Sequence, residues 1–278
     1  MDRGGLRIFD VAWPGRSVRP RRTGLRAKGY APMAEDRVPA GNLHHPLIRR
    51  YMACDRGAVR RLAVACADPR IAPACLSSHY GLVADVLTRY YLDFEPEACW
   101  VADDPVTGVV GYLFGCLSTA RRCRVMASRI VPPVILRAFL SGVVFSCPLG
   151  RLAWAGLRTW TSRHTVKTRA TRAYPAHLHV GMREDYRRSG LGRELVLRFV
   201  EQVRDEGIAG IHVSVVRANL PARMFFRDVG FDVLEKYEVI LPGSPQSPVQ
   251  MLLLGQQVSV QGGLRRGRGS SRAKGAGE

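Results

Sequence analysis

The sequence Tyr186-Arg187-Arg188-Ser189-Gly190-Leu191-Gly192-Arg193 joins an apolar, strand-like segment to a segment with helical periodicity. A glycine-rich turn between a strand and a helix builds an anion site, because the first N–H groups of a helix have no partner within it. Gly190 and Gly192 remove Cβ atoms where the backbone must approach a ligand, and the arginines add positive charge. This stretch therefore predicts a site for a pyrophosphate group. A tight left-handed glycine turn without a ligand is the alternative.

The segments around this loop predict a mixed α/β sandwich with helices on both faces of the sheet. Apolar residues recur at helical spacing in the expected helices, and β-rich runs bounded by turn residues mark the strands. The expected strands are 47–54, a hairpin of 99–102 and 109–115, then 177–182, 211–216, 231–241 and 249–258. The expected helices are 56–66 with Asp55 as N-cap, one from Ser78 to near Pro96, 194–206, and one that opens at Asn219.

One globular domain over residues 45–260 is expected between two basic flanks. Residues 1–44 and 261–278 carry Arg and Gly without periodicity, so we expect both to be disordered. Residues 120–172 look helical and amphipathic, with breaks at Pro132-Pro133 and at Pro148. We expect this segment to be a helical insertion that packs on the domain, although its apolar side could also face a substrate or a membrane surface.

The chain is strongly basic, with a formal net charge of +19. Residues 1–50 contribute +7 and residues 261–278 contribute +4, so more than half of the excess lies in the flanks. From Pro105 to Arg183 there is no Asp or Glu, and a substrate contacting that segment would meet only positive charge. A plain solvated basic face is the alternative. The basic residues are spread without interleaved aromatics or a reading motif, which argues against nucleic acid as a partner.

The seven cysteines show no C-x-x-C and no paired Cys/His spacing, so no metal site is expected. They are typical of small buried side chains in a reducing compartment. The N-terminus lacks the apolar region of a secretory signal, and no segment approaches the roughly 20 apolar residues of a membrane-spanning helix. We expect a cytoplasmic protein with no membrane span.

Three motifs follow one another in a recognisable order. Arg187-Arg188-Ser189-Gly190-Leu191-Gly192 matches the pattern Q/R-x-x-G-x-G/A, and Asn219, Phe225-Phe226 and Gly230-Phe231 come after it. In these features the chain resembles the GNAT superfamily of N-acetyltransferases. His177-Leu178-His179-Val180 with Glu184-Asp185-Tyr186 looks like bacterial acetyltransferases related to the C-terminal domain of O-GlcNAcase. The resemblance is strong over about residues 174–242, fair over 75–118, and absent from the insertion and both tails.

This resemblance implies a mixed central sheet with two splayed parallel strands and acetyl-CoA as cosubstrate. The implied activity is transfer of an acetyl group to a primary amine, on a small molecule or a protein, by direct attack on the thioester. A backbone N–H near Val180 to Met182 would polarise the thioester carbonyl. The residues implied in coenzyme binding are Val180, Met182, Arg187, Arg188, Ser189, Gly190, Leu191, Gly192, Arg193, Asn219 and Phe226.

Two side chains are candidates for proton transfer. Alternation along the strand puts His177 and His179 on one face, and His179 stands where the family points towards substrate, so its imidazole could act as the base. A histidine satisfied within the sheet interior is the alternative. Many family members carry a Tyr that protonates the departing thiolate where this chain has Phe226. Tyr237 or water could supply that proton, the thiolate could leave unassisted, or the chain could be a degenerate acyl-CoA-binding module.

Overall fold

The computed structural model describes residues 45–68, 80–140, 172–241 and 244–258. The expected tails 1–44 and 261–278, Ser78 and Pro148 lie outside these residues. Within them, seven strands form one sheet in the order β1-β2-β3-β4-β5-β7-β6. The strands are β1 (Leu47–Arg50), β2 (Cys99–Asp104), β3 (Gly108–Cys116), β4 (Ala176–Met182), β5 (Gly210–Val216), β6 (Asp232–Leu241) and β7 (Ser244–Gln257).

Helices cover both faces of this sheet. They are α1 (Arg56–Cys66), α2 (Tyr80–Phe94), α3 (Thr119–Val125), α4 (Val131–Leu140), α5 (Leu191–Asp205) and α6 (Leu220–Asp228). Short 3₁₀ turns precede α1, β2 and α5. The mixed sheet between helical layers confirms the expected fold class. No helix of the described part is both long and apolar enough to cross a bilayer.

The sheet separates two hydrophobic clusters, because successive side chains of a strand point to opposite faces. One cluster packs α5 and α6 on the sheet, with Leu113, Leu178 and Phe199 buried in it. The other packs α1, α2 and the segment after α3 on the opposite face, around Tyr91 and Phe114. Burying such large side chains stabilises the fold by roughly 1.5–3 kcal/mol each. Separating either helical layer from the sheet would therefore cost much of the stability of the domain.

Several expected boundaries need correction. Asp55 precedes α1, but its carboxylate accepts hydrogen bonds from Arg49 and from the Met52 N–H and makes no side-chain cap. Helix α5 begins at Leu191, three residues before the expected start at Glu194, because the glycine turn itself opens the helix. Strand β7 begins at Ser244 and not at Val249.

The expected break at Pro132-Pro133 was wrong, because both prolines lie in the first turn of α4. Helical structure runs from Thr119 to Leu140 through a π-helical turn at Met126–Ile130. Proline has no N–H to donate to the carbonyl four residues earlier. The wider π turn contains the carbonyls that the two prolines leave without that donor, so the chain stays helical.

The insertion leaves and rejoins the sheet at neighbouring points. Strands β3 and β4 are paired from Gly111↔Met182 to Cys116↔His177, although about sixty residues separate them along the chain. Just beyond that ladder, the Thr119 N–H and the Thr119 hydroxyl both donate to the Pro175 carbonyl, each at 2.9 Å. The ends of the segment 119–175 are therefore held together.

Gly115 of β3 lets α5 approach the sheet. A Cβ at Gly115 would collide with the Phe199 ring and with the Ala98 carbonyl oxygen, which is fixed backbone. We expect Gly115→Ala to lower the free energy of unfolding by about 1–3 kcal/mol through overpacking, measured by urea denaturation. The matched control is Gly81→Ala in α2, where a Cβ would meet nothing within 4 Å and alanine should be neutral or slightly stabilising. Equal effects of the two substitutions would contradict this reading of the contact.

Candidate functional site

Strands β4 and β5 part in the middle of the sheet. Within the described residues they form a parallel pair at Ala176↔Ile211 and His177↔His212 and at no later position. Strand β4 continues to Met182 and stays paired with β3 throughout. The parallel strands therefore diverge from Leu178 onwards, as the splayed sheet requires.

The backbone of β4 turns two N–H groups towards this gap. The Arg183 N–H donates to the Val110 carbonyl at 2.8 Å, so Arg183 hydrogen-bonds to the β3 side. Because N–H groups alternate sides along an antiparallel strand, those of Val180 and Met182 point away from β3 and towards β5. This places the two expected backbone donors beside the gap.

The loop after β4 bends through two left-handed residues. Arg188 has φ 66° and Gly190 has φ 90°, and Gly190 is the N-cap of α5. The first hydrogen bond of α5 runs from the Glu194 N–H to the Gly190 carbonyl at 3.1 Å. The N–H groups of Leu191, Gly192 and Arg193 therefore have no partner within the helix, which is the arrangement that the predicted anion cradle requires.

The two glycines of the loop have different roles. A Cβ at Gly190 would meet nothing within 4 Å, so the positive φ and not crowding selects glycine there. At Gly192 a Cβ would lie 3.6 Å from the Phe225 ring, an ordinary contact. The protein itself thus leaves open space on the exposed side of the turn, which is what a bound phosphate needs.

The side chains of the motif do not all face the cradle. The Arg187 Nε donates to the Met182 carbonyl at 3.4 Å, and an Arg193 guanidinium nitrogen donates to the Asp228 carbonyl at 3.0 Å. The Ser189 hydroxyl donates to the Tyr186 carbonyl at 2.7 Å. The Leu191 side chain is buried in the core, so this residue can contact a ligand through its N–H alone.

The two downstream residues expected at the coenzyme have structural contacts. The Asn219 side-chain oxygen accepts from the Ala222 N–H at 3.2 Å and caps α6. Phe226 is 1% exposed and packs edge-on against Phe231, with ring centroids 5.4 Å apart. The Phe226 ring thus belongs to the core, and no hydroxyl stands at this position.

The histidines of β4 lie on one face, as the alternation predicts. The Tyr91 hydroxyl lies 3.0 Å from His177 Nε2, and the Thr119 hydroxyl lies 2.8 Å from His177 Nδ1. Both ring nitrogens of this buried residue are thus engaged, and His177 is structural. His179 is half-buried beside it, edge-on to the Tyr91 ring with centroids 5.6 Å apart. The geometry therefore leaves His179 as the candidate base on this strand.

Tyr237 of β6 lies on the same face of the sheet, on the other side of the gap. Its hydroxyl donates to the Ser214 hydroxyl at 2.7 Å, and Ser214 follows His212 by two residues on β5. The His212 ring lies 5.5 Å from that of His177. His179 and Tyr237 thus flank the parting strands from opposite sides.

One contact of the loop was not anticipated from the sequence. The Tyr186 hydroxyl donates to Asp104 Oδ2 at 3.1 Å, and the Thr107 hydroxyl lies 3.2 Å from it. Asp104 and Thr107 belong to the turn between β2 and β3. The Asp-Asp-Pro turn signal locates this hairpin in the sequence, but it gives no sign of a partner about eighty residues away.

Two arginines of the acid-free segment pair with carboxylates from outside it. Arg121 pairs with Glu95 at 3.3 Å, and Arg137 pairs with Asp85 at 3.1 Å. Both carboxylates belong to α2 or follow it directly. The arginines of α3 and α4 are therefore partly neutralised by the neighbouring helix.

Comparisons with known proteins agree with this geometry. The model of the acetyltransferase (GNAT) family matches residues 152–231. A solved structure of a protein named SsHAT is 26% identical, with a TM-score of 0.54, and the match covers 77% of this chain and 98% of that chain. By this structural neighbour, the mixed seven-stranded sheet with helices has a GNAT-like fold. Over residues 152–231 the chain is thus similar to the GNAT family of acetyltransferases.

A curated relative matches only a short part of the chain. The mycothiol acetyltransferase of Thermobifida fusca (strain YX) is 39% identical over 56 residues, which are 20% of this chain and 17% of that protein. The chain thus matches about a sixth of the length of this relative. The closer likeness to acetyltransferases related to the C-terminal domain of O-GlcNAcase receives no support from these matches and stays a prediction.

Asp104 gives the site a pH-dependent contact. Burial acts to raise the pKa of this carboxyl, but hydrogen bonds from Thr107, Val106 and Tyr186 together hold the pKa below its ordinary value. A lowered folded-state pKa stabilises the protein above the unfolded value of about 3.9, and the contribution is lost as pH falls through the folded value.

We therefore expect Asp104→Asn to lower the free energy of unfolding at pH 6–7, by about 1–3 kcal/mol. The difference from the wild type should shrink as pH falls below about 4. Urea unfolding at pH 7, 5, 4 and 3 measures it, with Asp205→Asn at an exposed position as the matched control. A difference that stays constant down to pH 3 would contradict the prediction.

Proposed function

We propose that this chain is an acetyl-CoA-dependent N-acetyltransferase that acts on a primary amine of a small molecule or a protein. The parting of β4 and β5 beside the cradle of α5 carries the proposal. It brings together a helix N-terminus for a pyrophosphate and two strand N–H groups for a thioester carbonyl. One extended ligand that carries both a pyrophosphate and a thioester would lie along the gap between the helix N-terminus and the strand N–H groups.

The residues present fit the coenzyme. The open space at Gly190 and the three N–H groups that follow it suit a pyrophosphate, with Arg188 exposed beside them. The N–H groups of Val180 and Met182 suit a carbonyl oxygen on which charge develops during the reaction. The coenzyme supplies the acetyl group as an activated thioester.

Within the described residues, Cys66 is the only cysteine next to the end of β4. Its surroundings favour direct attack by the amine over attack by a thiol. The Cys66 thiol donates to the Met182 carbonyl at 3.6 Å, and burial raises the pKa of Cys66. A protonated, buried thiol is a poor nucleophile. We therefore propose no acyl-cysteine intermediate. The amine nitrogen forms the new bond to carbon as the carbon–sulfur bond breaks.

This reaction needs two proton movements. The attacking amine must lose a proton, and we propose the imidazole of His179 as its acceptor, directly or through water. The departing thiolate must gain one, and the Tyr237 hydroxyl on the other side of the gap is the proposed donor. Asn219 would orient the start of α6 towards the coenzyme through its cap, and Phe226 would support that helix from the core without touching a ligand.

A second candidate function is coenzyme binding without turnover. The phenylalanine at position 226 favours it, because its side chain has no proton to donate where many proteins of the resembling family have a tyrosine. A thiol-release assay with acetyl-CoA over a panel of primary amines separates the two candidates. Turnover on any amine supports the transferase, whereas calorimetric binding of coenzyme A without turnover on the whole panel supports the binding module.

A bulky substitution in the loop tests its assignment as a pyrophosphate site. We expect Gly190→Trp to raise the Kd of coenzyme A by about 10-fold or more, because the indole would occupy the position of the pyrophosphate. The matched control is Gly207→Trp at the other end of α5, which also has a positive φ, of 67°, and open space around its Cβ position. Equal affinities of the two variants, measured by calorimetry, would overturn the assignment of the loop.

The base is tested by removing the imidazole. We expect His179→Ala to lower kcat by about 100-fold while the Kd of coenzyme A changes less than about 2-fold. His45→Ala, at an exposed position before β1, is the control and should leave both values unchanged. Steady-state kinetics with calorimetry checks this, and an unchanged kcat in the His179 variant would remove it from the mechanism.

A further inference from the structure

We propose that Tyr186 and Asp104 form a positioning pair that holds the cradle loop in its binding conformation. The proposal rests on the proposed coenzyme site, which it deepens. Neither side chain needs to touch the coenzyme. Together they tie the loop after β4 to the turn between β2 and β3.

The backbone of Tyr186 makes hydrogen bonds within the loop, whereas its hydroxyl binds Asp104 outside the loop. Its N–H donates to the Arg183 carbonyl at 3.1 Å, and its carbonyl accepts from the Ser189 hydroxyl at 2.7 Å. The ring packs against the main core cluster and lies 4.8 Å below the Arg183 guanidinium. Tyr186 therefore connects the loop backbone before and after it with the anchor of its hydroxyl.

Asp104 is a rigid anchor for this hydroxyl. The Asp104 side chain is buried, at 5% exposure for the residue, and its Oδ1 accepts from the N–H groups of Val106 and Thr107 at 2.9 and 2.8 Å. Its other oxygen, Oδ2, receives the Tyr186 hydroxyl. The turn thus fixes one carboxylate oxygen and presents the second to the loop.

The loop needs such an anchor because part of its backbone is strained. Arg188, two residues after Tyr186, has φ 66°, a left-handed conformation that non-glycine residues adopt only at an energetic cost. Such a conformation persists when its neighbours hold it. Helix α5 holds the loop on one side of Arg188, and the Tyr186–Asp104 contact holds it on the other.

Release of this contact should weaken binding without touching the chemistry. When the binding conformation is populated for only a fraction of the time, the apparent Kd equals the intrinsic Kd divided by that fraction. We expect Tyr186→Phe to raise the Kd of coenzyme A about 5- to 10-fold, to raise KM for acetyl-CoA in parallel, and to leave kcat within about 2-fold.

The experiment is a double-mutant cycle with two readouts. Wild type, Y186F, D104N and the double variant are compared by calorimetry with coenzyme A and by amide hydrogen exchange of residues 183–190 without ligand. Y51F, directly after β1, is the matched control. If the pair acts as one unit, the double variant should match the weaker-binding single variant, and both single variants should exchange faster in the loop.

The outcomes separate this proposal from the proposed function. Two results would overturn the positioning pair. One is a double variant whose increase in Kd is the product of the two single-variant increases. The other is loop exchange in Y186F equal to that of the wild type. A wild-type protein that binds no coenzyme A would overturn the proposed function. In that case the exchange readout still decides on the pair, because it requires no ligand: faster exchange in Y186F and D104N supports it, and unchanged exchange overturns it.

Discussion

The loss of pairing between β4 and β5 after His177 is the constraint on which the rest of the site depends. A continuous parallel ladder would use the N–H groups of Val180 and Met182 and would close the gap beside them. Both strands still keep their other neighbours, β3 and β7, so the sheet holds together while its middle opens. Helices on both faces bury the apolar sides of the strands and stabilise this arrangement, in which two backbone donors stay available to a ligand.

Much of the fold could be predicted from the sequence, because its strands and helices follow simple periodicities. The range of α1 agrees at both ends, and the alternation of His177 and His179 on β4 is confirmed. The errors came from contacts just outside each element, which the periodicity of the element does not show. Asp55 looks like a helix cap, but Arg49 draws its carboxylate away. Pro132 and Pro133 look like a break, but a π turn absorbs the missing donors.

The candidate site was predictable in its backbone and less so in its side chains. A glycine in a short loop often marks a positive φ, so the left-handed turn at Gly190 before the helix could be predicted. The direction of a long side chain depends on its tertiary neighbours. Arg187 and Arg193 therefore turn to carbonyl groups at Met182 and Asp228, and the partner of Tyr186 lies on a turn that no local pattern connects with it.

The clamp between Thr119 and Pro175 has a consequence for how this chain can vary. Because the segment between β3 and β4 begins and ends at one point of the sheet, its length is set by neither strand. The entropy of closing such a loop rises slowly, by only about 0.6 kcal/mol for each doubling of its length. Residues could be gained or lost there with little effect on the register of the sheet. A change in the length of this segment therefore need not disturb the loop after β4 or the start of α5.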